Sequence, residues 1–197
     1  MANFITLTRI FLGFIAIALL FYPTEANYWT TIILTILVIW GDGLDGFVAR
    51  KFNLTSKLGA VLDIMGDRIV ENIYWIAFAS LGWINVIIPI IFVSRGIIVD
   101  SIRSLALAEG YTAFGEKTMM QNKIAKFIVA SNFCRFTYAV LKAVAFVLLI
   151  AGNPNAPIDP TIKANIFNAA LICAYFAAFY CVLRGLPVIL ESKRFLK

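Results

Sequence analysis
Six apolar runs divide this chain: Ile5–Tyr22, Tyr28–Trp40, Leu58–Ser80, Val86–Ala108, Lys123–Ile150 and Ile162–Leu186. About 20 apolar residues cross a bilayer as a helix, and inside the hydrocarbon only a helix or a closed barrel satisfies every backbone N–H and C=O. The sequence therefore predicts an all-α integral membrane protein with six transmembrane helices and a single membrane domain over residues 1–197. With 61% of residues hydrophobic and 14% charged, the chain has too few charges to clothe a soluble surface. The first run contains Arg9 and lacks the small-residue end of a cleaved leader, so it reads as a retained helix.

Basic residues gather in alternate connections. Arg50, Lys51 and Lys57 follow the second run, Lys117, Lys123 and Lys126 follow the fourth, and Lys193, Arg194 and Lys197 end the chain. The connections after the first and third runs carry no Lys or Arg, and the one after the fifth carries none before Lys163. Positive charge stays on the cytoplasmic side, which predicts cytoplasmic termini and a cytoplasmic face for residues 42–67. The net charge of +6 is scattered among apolar segments, so anionic headgroups and a phosphorylated substrate fit it better than nucleic acid. Cys134, Cys173 and Cys181 lie inside apolar runs without paired spacing and read as small buried hydrophobes. Histidine is absent, which leaves carboxylate, Lys, Tyr or Cys as a general base.

The chemistry concentrates between Asp42 and Asp67. Four of the eleven acidic residues, Asp42, Asp45, Asp63 and Asp67, fall in these 26 positions beside apolar runs, where an ionised carboxylate is expensive. Spacings of three and four put each pair on one helix face, so two helices meeting here converge four carboxylates. Such a group repels itself unless cations neutralise it, and all-oxygen ligands select hard ions, Mg²⁺ or Mn²⁺. Two divalent cations clamping a phosphate or pyrophosphate make a phosphoryl-transfer site. Gly46 and Gly59 allow close approach of backbone or ligand, and Arg50 offers a planar fork to phosphate. The bland alternative, carboxylates pairing with Arg50, Lys51, Lys57 and Arg68 at a membrane surface, gives no reason for the intervening glycines.

Written out, the spacing is Asp42-x2-Asp45-Gly46-x2-Ala49-Arg50-x8-Gly59-x3-Asp63-x3-Asp67. It resembles the signature of the CDP-alcohol phosphotransferase family at every defined position. The resemblance implies a six-helix fold, usually a homodimer, that transfers a substituted phosphate from a CDP-linked lipid to an alcohol and releases CMP. It implies that Asp42, Asp45, Asp63 and Asp67 hold two divalent cations and that Asp67 is also the general base. Gly46, Arg50, Ser56 and Gly59 fall where the family contacts the CDP part of the donor, CDP-diacylglycerol. The opening Asn3-Phe4-Ile5-Thr6-Leu7-Thr8-Arg9 is similar to the family's Asn-x-x-Thr-x-x-Arg start, which implies nucleotide contacts for Asn3 and Thr6. The family setting implied is a bacterial inner (plasma) membrane.

Other residues choose the acceptor. Arg95 and Arg103 are eight apart and share a helix face inside an apolar run, where arginine normally lines a cavity. Two guanidinium groups favour an anionic acceptor carrying a phosphate. The segment Arg95-x7-Arg103-x6-Gly110 resembles phosphatidylglycerophosphate synthases, whose acceptor is sn-glycerol 3-phosphate. Of their Gly-Lys-x-Lys-Thr stretch this chain keeps Lys123, in Asn122-Lys123-Ile124-Ala125-Lys126. The wording around Gly59–Asp63 and Asp67-Arg68 is also similar to phosphatidylinositol-phosphate synthases, whose acceptor is inositol phosphate. The bland readings are pairing of Arg95 and Arg103 with Asp100 or lipid headgroups, and snorkelling of Lys123 and Lys126. Asn132, Arg135 and Lys142 fall on one stripe, and Glu71 reads as a partner for such a cation of the fifth span more than as a metal ligand. A transporter with an aspartate-lined ion path is the alternative of a different class, but no inverted repeat is visible and it leaves the eight-position signature unexplained.

Overall fold
The computed structural model describes residues 2–51, 57–108, 110, 111, 120 and 122–194, and for residues 2, 45–50, 57 and 194 it describes the backbone alone. All regular structure among the described residues is helical. The helices are α1 (Ala2–Leu20), α2 (Glu25–Lys51), α3 (Lys57–Ser80), α4 (Ile87–Ala108), α5 (Lys123–Ala130), α6 (Asn132–Ala151) and α7 (Pro160–Glu191). Three of them, α1 over Asn3–Leu20, α6 over Asn132–Ala151 and α7 over Pro160–Glu191, are long and apolar enough to cross a membrane. At 27, 24 and 22 residues, α2, α3 and α4 have the length but carry the aspartates, Arg68, Glu71, Arg95 and Arg103 within it. The acidic residues of the candidate site thus lie on α2 and α3 and not on the three most apolar helices.

The chain forms two compact units, Met1–Val86 with Ala143–Leu171, and Ile87–Lys142 with Ile172–Lys197. In the first unit α1 packs along both α2 and α3. The core is aromatic. Tyr74, Trp75 and Phe78 are fully buried on α3; Tyr74 stacks on Phe146 at 5.0 Å and Trp75 meets the same ring edge-on at 4.7 Å. Lipid tails are as apolar as these rings, so tight packing and hydrogen bonds, more than the hydrophobic effect, hold the unit together. The Tyr28 hydroxyl donates to the Ala151 carbonyl at 2.9 Å, tying the start of α2 to the end of α6. Gly82, at φ +74°, ends α3 in a left-handed turn. Just beyond it Trp83 turns inward and stacks on Phe78 at 5.6 Å.

Thr35 and Tyr74 share a buried hydrogen bond of 2.9 Å between α2 and α3. Tyr74→Phe leaves the Thr35 hydroxyl without it, and about 1 kcal/mol of stability is expected to go. Denaturant unfolding in mixed micelles measures this, and an unchanged midpoint contradicts it.

In the second unit the structure departs from the predicted fifth span. Lys123–Ile150 is not one helix: Ser131, extended at φ −65° and ψ 140°, separates α5 from α6. Its hydroxyl accepts from Cys134 N at 3.1 Å, a local cap that competes with continuing the helix. The break frees carbonyls, and Arg184 on α7 takes two of them, Nε donating to Ile128 O at 3.3 Å and Nη2 to Val129 O at 3.0 Å. Apolar surroundings demand such a substitute partner. Asn122 caps α5, its Oδ1 accepting from Ile124 N at 2.9 Å. The sixth predicted span stops at Leu186, whereas α7 runs through Pro187 to Glu191.

Candidate active site
Asp63 and Asp67 lie one turn apart on α3, and Asp42 approaches them from α2. One carboxylate oxygen from each of Asp42, Asp63 and Asp67 comes within 4.8 Å of the others. The side chains of Asp42 and Asp67 are half exposed. Three close carboxylates with solvent access and oxygen-only donors fit a hard divalent cation such as Mg²⁺ or Mn²⁺. Asp45, Gly46 and Arg50 have their backbone in α2, but their side chains, like all of Ser56, lie outside the described residues. Asn3 is half-buried and Thr6 buried on α1, and Gly59 is half-buried on α3.

Arg9 completes this group. It is 4% exposed and donates through Nη1 to Asp42 Oδ1 and through Nη2 to Asp67 Oδ1, the latter at 2.9 Å. Two glycines make its seat. A Cβ on Gly66 would lie 3.0 Å from Thr6 Cγ2 and 3.2 Å from Arg9 Nη2, and one on Gly41 would lie 3.5 Å from Arg9 Cδ. The sequence reading gave weight to Gly46 and Gly59 and passed over these two. The signal was there: Gly41 immediately precedes Asp42, and Gly66 immediately precedes Asp67. Glu71 is bonded to Arg68 at 3.0 Å, one turn back on its own helix.

The predicted acceptor-phosphate residues all belong to the second unit. Arg95 on α4 is buried against Gly185, whose added Cβ would fall 2.8 Å from Arg95 Cγ. Its Nε has no hydrogen-bond partner among the described residues. Arg103 lies 3.9 Å from Asp100, which is the bland reading of that residue. Lys123 is exposed at the start of α5. Lys142 sits over the Tyr138 ring at 4.5 Å, and the Arg184 guanidinium over the same ring at 5.2 Å. Arg184, buried and under the like charges of Arg95 and Arg135, is the cation that sequence reasoning missed. No carboxylate among the described residues pairs with Arg95 or Arg184. A lone arginine inside the long apolar run Ile162–Leu186 was its signal.

The family model for CDP-alcohol phosphatidyltransferases matches residues 1–179, a range that holds both the aspartate cluster and its arginine. The chain belongs to the CDP-alcohol phosphatidyltransferase family. This is a family of phosphatidyltransferase enzymes. Among curated relatives, a phosphatidylinositol phosphate synthase of Streptomyces avermitilis is 42% identical over 67 residues, which are 34% of this chain and 27% of that protein. A CDP-diacylglycerol–glycerol-3-phosphate 3-phosphatidyltransferase of Aquifex aeolicus is 33% identical over 67 residues, 34% of this chain and 36% of the relative. One of the same name from Pseudomonas fluorescens is 29% identical over 162 residues, 77% of this chain and 82% of the relative. The matched part thus spans about a third of the first two relatives and most of the third.

Proposed function
We propose that this protein transfers the phosphatidyl group of CDP-diacylglycerol to sn-glycerol 3-phosphate, giving phosphatidylglycerophosphate and CMP. The observation that carries the reading is the convergence of Asp42, Asp63 and Asp67 within the signature spacing. With Asp45 they hold two divalent cations, Mg²⁺ or Mn²⁺, which supply Lewis-acid stabilisation of the charge on the pyrophosphate. Asp67 accepts the proton of the acceptor hydroxyl as that oxygen bonds to the donor's β-phosphorus, the phosphorus that carries the diacylglycerol. The bond from that phosphorus to the oxygen bridging it to the cytidylate phosphorus breaks, and CMP leaves with the electron pair. Asn3, Thr6, Gly46, Arg50, Ser56 and Gly59 bind the CDP part of the donor. Arg95, Arg103 and Lys123 bind the acceptor's phosphate, and Arg184 joins them because a buried arginine with no acidic partner among the described residues favours an anion. The reading includes six spans in a bacterial inner membrane, both termini and the site at the cytoplasmic face, and a homodimer.

The test is CMP release by the purified protein from CDP-diacylglycerol with Mg²⁺ or Mn²⁺, in parallel with glycerol 3-phosphate, inositol 1-phosphate, inositol or serine. Glycerol 3-phosphate alone is expected to drive release, and chelation with EDTA is expected to abolish it. Release driven by inositol phosphate instead would move the cations of the second unit to the acceptor of the Streptomyces relative. Absence of cation-dependent CMP release with every acceptor would overturn CDP-diacylglycerol as the donor, or mark this chain as a silent relative.

A further inference from the structure
Arg9 reaches from α1 to carboxylates on two other helices, with one guanidinium nitrogen on Asp42 of α2 and another on Asp67 of α3. We infer that Arg9 is a resident counter-ion: it holds the aspartates together in the cation-free protein, and a divalent cation loads by displacing it. This inference rests on the cation-binding role proposed above for the cluster.

Charge supplies the need for such a residue. Three carboxylates whose oxygens lie within 4.8 Å drive α2 and α3 apart unless something positive sits among them. A guanidinium stays charged at every working pH, and its fork can bond two carboxylates at once. The side chain is also committed to this position, being 4% exposed and seated between Gly41 and Gly66. A larger residue at Gly66 would meet both Thr6 and the guanidinium.

Charge also makes the arrangement competitive. Asp42 Oδ1 and Asp67 Oδ1, which Arg9 occupies, belong to two of the three carboxylates that form the cation donor set. The positive charge that stabilises the empty cluster repels an arriving cation, so Arg9 and the cation bind the aspartates with opposing effects. Loading frees the guanidinium from at least one carboxylate and leaves it facing whatever anion the cation brings.

The experiment compares Mn²⁺ binding to the full-length protein and to Arg9→Met in detergent without nucleotide, by electron paramagnetic resonance of free Mn²⁺. The variant is expected to bind Mn²⁺ about tenfold more tightly, the scale of one charge-assisted hydrogen bond. Its cation-free melting temperature is expected to fall, and Mn²⁺ to restore more of it than in the parent. Equal or weaker Mn²⁺ affinity in a folded Arg9→Met protein overturns the inference and leaves the cation site standing. If the variant does not fold, the parent protein labelled with ¹⁵N-arginine decides. The Arg9 Nε–Hε resonance, assigned by its loss in Arg9→Lys, is expected to move along the Mg²⁺ saturation curve. A resonance that stays fixed while Mg²⁺ binds overturns the inference. No cation binding by the parent overturns the cation site and the inference together.

Discussion

Asp67→Asn is expected to reduce phosphatidyl transfer by about 10³-fold or more in a protein that still folds, the scale of a lost general base combined with a weakened cation site. Asparagine keeps the size of aspartate, and its Oδ1 can still accept the bond that Arg9 Nη2 makes at 2.9 Å. It cannot take a proton. The chain contains no histidine to stand in. Asp63→Asn is the matching control, because Asp63 shares the cluster and the helix with Asp67 but is proposed only as a cation ligand. Activity of Asp63→Asn should recover in part at high Mn²⁺, whereas that of Asp67→Asn should not. CMP release against Mn²⁺ concentration, with thermal unfolding of each variant, separates the two cases. A folded Asp67→Asn enzyme with near-normal turnover would sink the assignment of the base.

The aspartate cluster was legible because helical periodicity alone brings residues three and four apart onto one face, and α2 and α3 keep that periodicity through the aspartates. Helix limits were legible where an apolar run ends in polar or turn residues: α3 starts at Lys57 against an expected Leu58, and α4 at Ile87 against Val86. The break at Ser131 was not. Ser131-Asn132 is a short polar pair inside a long apolar run, compatible with a continuous helix, and the donors that satisfy the freed carbonyls come from Arg184, 55 and 56 positions away. Arg9 is the same case on a shorter scale. The resemblance of the opening segment implied contacts with a nucleotide, but its carboxylate partners are 33 and 58 positions away and follow from how α1 packs. Local pattern finds groups that share a helix. It does not find a cation delivered from another one.

Arg184 yields the second large effect, because two duties meet in one side chain. It donates to the carbonyls of Ile128 and Val129, and it brings a positive charge beside Arg95 and Arg135. Arg184→Leu removes both. Two carbonyls freed by the α5–α6 break then lack donors, and about 3 kcal/mol of stability is expected to be lost in micelle unfolding. Arg184→Gln separates the duties, since an amide can donate to one carbonyl but carries no charge. That variant is expected to fold with a small loss of stability. Its KM for glycerol 3-phosphate should rise about tenfold or more, the scale of one lost charge-assisted contact to phosphate. The KM for CDP-diacylglycerol should stay within about threefold, because the residues proposed for the CDP part lie elsewhere in the chain. Steady-state CMP release with each substrate varied in turn reads both constants. An unchanged acceptor KM in folded Arg184→Gln would make this arginine a structural plug for the helix break alone, and would return the acceptor phosphate to Arg95, Arg103 and Lys123.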